Sequence, residues 1–154
     1  MRLLRVIFFI GNLVLTRCLL RYRTFLFLSM FFTNWAMWLT ILYFGLLIII
    51  QYKTNSLSLL ALHHILFQIT LVCNIIVVLI YWTLLYKIDM ARPELAADRF
   101  RRWLNRTIHI WPFLGTSCNY KFSKLKMREK DGWMLAPICV AYALTNYAAT
   151  LHYN

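Results

Sequence analysis

Acidic side chains are scarce in this sequence: 5 Asp and Glu stand against 17 Lys and Arg in 154 residues, a formal net charge of +12. Charge of either sign is also thin, at 14%, well below the roughly one quarter typical of a soluble domain. Glycine occurs 4 times and proline 3 times, and neither a low-complexity stretch nor an internal repeat is present. The four cysteines, Cys18, Cys73, Cys118 and Cys139, stand singly. Without a CxxC or a Cys/His spacing they exclude a structural zinc, a haem attachment site and a redox pair, and read as small core residues.

What fills the chain instead is apolar: 62% of residues are hydrophobic and the mean hydropathy is +0.62. No charged residue lies between Arg23 and Lys53, and a helix over 24–52 would reach roughly 43 Å, enough to cross a ~30 Å hydrocarbon layer with tilt. A second uncharged span covers 59–86 and closes on Tyr81, Trp82 and Tyr86, aromatics of the kind that sit at headgroup level. A third covers 132–154. Two shorter apolar segments, 6–16 and 107–120, are too brief to cross unaided. The expected fold is an all-α integral membrane bundle of three transmembrane helices plus one or two shorter or broken segments, in a single domain over 1–154.

The bases cluster at 17–23, 87–106 and 121–130, outside the apolar stretches. Such charge points to anionic lipid or an acidic partner, and no recognition motif accompanies it that would point to nucleic acid. Lys121, Lys124, Lys126, Arg128 and Lys130 form a candidate lipid-binding cluster. The positive-inside rule puts the first two clusters on one side of the membrane. It keeps the third there only if 107–120, interrupted by Pro112 and Gly115, is a broken segment that returns, which is the expected arrangement. The N-terminal run lacks a small-residue cleavage site, so it is expected to be retained.

Ionisable and polar groups at membrane depth are the candidates for chemistry. His63 and His64 open the second span, where interfacial bonding to water or backbone accounts for them without a metal or haem. His109 lies one turn after Asn105, which could orient its imidazole. Thr33 interrupts the first span within FFTNW and belongs to the same leaflet as His109. For straight helices the two would differ in depth by roughly 10 Å.

The order of FFTNW opening one span, YWTLLYKID closing the next and WLNRTIHIWPFL opening the following segment resembles the androgen-induced family of multispan membrane proteins, related to rolling-stone-like proteins. The resemblance runs over about 25–150 and implies a membrane location. Its hydrolase branch cleaves fatty-acid esters of hydroxy fatty acids with a threonine nucleophile and a histidine base. By position Thr33 matches the first and His109 the second. Family members carry about six spans, so a pocket wall is expected to be missing here.

Two functions follow. The leading expectation is a structural or accessory, lipid-binding subunit contacting other membrane-protein subunits of a larger complex; the alternative is an intramembrane threonine hydrolase of lipid esters with Thr33, His109 and Asn105 as its site. Neither requires a cofactor or a metal. A basic, cardiolipin-seeking chain suits the mitochondrial inner membrane, and the family resemblance offers the endoplasmic reticulum as the alternative.

Overall fold

The first helix is longer than its uncharged stretch. In the computed structural model, which describes residues 2–53, 56–123 and 126–153, helix α1 runs Arg2–Leu20 and takes in Arg5 and Arg17. Arg5 can lie inside it because its guanidinium donates to Asn119 Oδ1 at 3.0 Å and to Ser123 Oγ at 3.1 Å, which offsets the cost of a cation near apolar surroundings. Phe8, Asn12 and Leu15, four and three residues apart on one helical face, are buried, whereas Ile7, Ile10 and Val14 face outward. At 19 residues, α1 is one of three described helical stretches long and apolar enough to cross a membrane, with Phe32–Gln51 and Leu57–Met90.

The expected continuous span over 24–52 is broken. Helix α2 (Phe25–Ser29) ends in a turn at Met30, Phe31 lies outside any helix, and α3 (Phe32–Lys53) starts afresh. A break exposes carbonyls that a continuing helix would satisfy, and the polar residues of FFTNW supply the missing donors. Asn34 Nδ2 donates to the Leu28 carbonyl at 2.8 Å and Trp35 Nε1 to that of Ser29 at 2.8 Å. The Met30 carbonyl accepts from Tyr142 Oη at 3.0 Å and Asn146 Nδ2 at 2.8 Å. The interruption is therefore a built corner.

Helix α4 (Leu57–Ile80) continues through one π-helical turn, Tyr81–Leu85, into α5 (Tyr86–Met90). A short α6 (Pro93–Ala97) follows, with proline at its first position, where a missing N–H costs nothing. Asp98 then caps α7 (Arg99–Ser123), its Oδ1 accepting from the Phe100 and Arg101 amides at 2.8 and 3.1 Å.

Helix α7 corrects the reading of 107–120 as a broken, returning segment. The stretch lies inside one 25-residue helix that includes Pro112, because the charged residues 99–106 extend it at the start and neighbours on α1, α3 and α4 pack along its length. On the turn after the proline, the Thr116 hydroxyl donates to the Pro112 and Phe113 carbonyls at 3.0 and 3.1 Å. The basic stretch after α7 therefore emerges at the end of the bundle opposite 87–106. A 3₁₀ turn, Glu129–Met134, leads into α8 (Leu135–Tyr153), which occupies the stretch expected as the third span but is not among the three described helical stretches long and apolar enough to cross.

Consecutive long helices run antiparallel, as short connections require. One apolar cluster joins Phe8, Tyr43, Phe44, Leu47, Phe67 and Leu71; a second joins Leu15, Met37, Leu104 and Ile108. Gly115 marks a close approach of α7 to α1 and α3. A Cβ there would sit 2.8 Å from Phe8 Cδ1 and 3.1 Å from Phe44 Cε2, so only a residue without a side chain admits the two rings. Between the apolar layers, Asn74 Nδ2 reaches Thr40 Oγ1 at 3.0 Å and Thr116 Oγ1 at 3.4 Å, tying α4 to α3 and α7.

Candidate active site

Each helical threonine needs a partner for its hydroxyl, and the usual one in an apolar bundle is the carbonyl four residues earlier. Thr16, Thr40, Thr83, Thr107, Thr116 and Thr145 all bond that way. Thr33 does not. The Ser29 carbonyl, its counterpart, is taken by Trp35, and no hydrogen bond of the Thr33 hydroxyl is found among the described residues. Thr33 stands in the first turn of α3, directly after the corner, where backbone N–H groups lack intrahelical acceptors. It lines a cavity of about 910 Å³.

Another part of the cavity wall is built by α7 and the π turn. His109 is buried, and its Nδ1 lies 2.6 Å from the Asn105 carbonyl. A carbonyl only accepts, so Nδ1 carries the proton and Nε2 keeps its lone pair. Asn105 thus orients the imidazole through its backbone, whereas its side-chain amide is engaged elsewhere: Nδ2 donates to Tyr81 Oη at 2.9 Å and lies 3.4 Å from Asp89 Oδ2.

Tyr81 departs from its expected place in the aromatic girdle. Trp82 is exposed, but Tyr81 is buried at 1% exposure and stacks on His109 with ring centroids 3.5 Å apart and planes within 12°. The extra residue of a π turn rotates the side chains that follow relative to a regular helix, and such turns recur at functional sites. That turn begins at Tyr81. Sequence reasoning missed Tyr81 because its neighbours Trp82 and Tyr86 do form the outward pattern.

Thr33, Asn105, His109 and Tyr81 all line the same cavity. Its remaining wall is apolar toward the bundle, with Ile76, Val77 and Ile108 among the contributors, and polar toward one end, where Arg23, Asp89, Arg92 and Arg101 appear. The Arg92 and Asp89 side chains pair at 3.3 Å. A ligand with a long apolar chain and a polar end fits this division. Among the described residues no three His, Cys, Asp or Glu side chains come together as a metal site.

The other sequence candidates lie apart. His63 stacks on Tyr43, at 5.2 Å between centroids, in the half of the bundle where Tyr43 meets Asn119. Lys121, in the last turn of α7, and Lys126 and Arg128, beyond its end, are exposed; Lys124 lies outside the described residues, and so does the side chain of Lys130. The basic cluster and the Thr33 cavity are therefore separate features.

A model of the FAR-17a/AIG1-like protein family matches residues 22–154, from the turn before α2 through the last helix. The chain belongs to this family. That is the androgen-induced family whose motifs the sequence resembles, and membership together with the apolar helices makes the chain an integral membrane protein. No curated protein and no solved structure matches it. The FAR-17a/AIG1-like match includes both Thr33 and His109, and leaves only α1 and the residue that follows it outside.

Proposed function

We propose that this FAR-17a/AIG1-like protein is an intramembrane hydrolase of lipid esters, with Thr33 as nucleophile and His109 as general base. The observation that carries the reading is that a threonine hydroxyl without a hydrogen-bond partner among the described residues and a histidine fixed in the Nδ1–H tautomer line one cavity. In this reading His109 Nε2 takes the Thr33 proton as Oγ attacks the ester carbonyl. The corner before α3 holds the hydroxyl clear of its own helix, and the Asn105 carbonyl holds the ring. The apolar wall takes the acyl chain, and the exposed bases Lys121, Lys126 and Arg128 suit contact with anionic lipid.

The test is hydrolysis of fatty-acid esters of hydroxy fatty acids by the purified full chain in detergent. Thr33→Ala and His109→Ala are each expected to abolish turnover while retaining the elution volume and thermal midpoint of the unmodified protein. Unchanged activity in both would remove the proposal and leave the accessory, lipid-binding role as the reading to pursue.

A further inference from the structure

An ester hydrolase needs a donor for the charge that develops on the carbonyl oxygen, and Asn34, the side-chain amide next to Thr33, is already engaged. Its amide donates to the Leu28 carbonyl at 2.8 Å as part of the corner. Tyr81 is differently placed. Its hydroxyl oxygen accepts from Asn105 Nδ2 at 2.9 Å, and no acceptor for its own proton is found among the described residues. It lines the cavity with Thr33 and His109, and its ring lies flat against the imidazole.

We infer that Tyr81 is the oxyanion donor of this site, a catalytic role that rests on the hydrolase reading above. As Thr33 Oγ bonds to the carbonyl carbon, the carbonyl π pair moves onto oxygen and the threonine proton passes to His109 Nε2. Tyr81 donates its O–H as a hydrogen bond to that oxygen and keeps its proton throughout. The intermediate collapses when the ester C–O bond breaks, and the departing alkoxide takes the proton from His109. Water then adds to the acyl-threonine, giving its proton to His109; the second tetrahedral oxyanion is held in the same way, and its collapse frees the acid and reprotonates Thr33. The Asn105 amide, donating to Tyr81 Oη, polarises the phenol and strengthens it as a donor.

Tyr81→Phe isolates the hydroxyl, because the ring stacked on His109 is kept. With p-nitrophenyl decanoate as substrate, kcat should fall roughly 10²- to 10³-fold with KM little changed. A decyl trifluoromethyl ketone, which forms a tetrahedral oxyanion adduct, should lose affinity in the same proportion. A decyl ether, which forms none, should bind as before and reports that the cavity is intact. If Thr33→Ala is inactive while Tyr81→Phe keeps both kcat and ketone affinity within about threefold, well short of that loss, Tyr81 is not the donor and the hydrolase reading stands. Absence of Thr33-dependent turnover in the unmodified protein would overturn both. Should Tyr81→Phe lose ether binding, 3,5-difluorotyrosine at position 81 replaces it: ketone affinity must change relative to ether affinity, and an unchanged ratio refutes the role.

Discussion

At the scale of single residues, the FFTNW stretch divides its labour. Asn34 and Trp35 reach back to satisfy carbonyls of α2, and Thr33, between them and the corner, is left without a bond to its own backbone. Trp35→Phe removes only the donor to Ser29, keeping an aromatic ring against Tyr142. It should lower stability in detergent by about 1 kcal/mol, read as a drop in thermal midpoint, and it should lower hydrolysis further than the stability loss explains, because the corner positions Thr33. A polar interruption in an apolar run was legible in the sequence as a place where function could lie. Which of its residues is structural and which is free was not, because that depends on where the helix breaks, and the corner at Met30 is held by Tyr142 and Asn146, more than a hundred residues away. Asn105 shows the same limit: its spacing from His109 pointed to an orienting contact, but the carbonyl makes it, and the amide turns to Tyr81.

At the scale of elements, composition fixed the class and left the boundaries open. Uncharged runs marked the cores of α3 and α4, yet α1 and α7 extend through arginines that charge counting treats as ends. Arg5 is admitted by Asn119 and Ser123 on another helix, and Pro112 by the packing around α7, neither of which a local window contains. The tightest of these contacts is testable. Gly115→Ala places a methyl group against the buried rings of Phe8 and Phe44 and should cost about 1–3 kcal/mol of stability. Gly132→Ala, with nothing within 4 Å of the added carbon, should stay within about 0.5 kcal/mol of the unmodified protein. Equal thermal midpoints for the two variants would show that α1, α3 and α7 do not meet as closely as described.

At the scale of the whole molecule, antiparallel helices bring together residues that the sequence holds apart. Thr33, Tyr81 and His109 come from three helical elements and share one cavity, while the exposed bases after α7 lie at the other end. A continuous α7 separates those bases from the 87–106 cluster, so the two clusters lie at opposite ends of the bundle, against a simple positive-inside count. The central claim is that the Thr33 hydroxyl is activated by His109 within this cavity. It is tested most directly by treating the purified protein with an alkyl fluorophosphonate, which phosphonylates activated hydroxyl nucleophiles, and mapping the adduct by mass spectrometry. The account predicts one adduct on Thr33, lost in both Thr33→Ala and His109→Ala. Absence of any adduct, or an adduct that persists in Thr33→Ala, would contradict it.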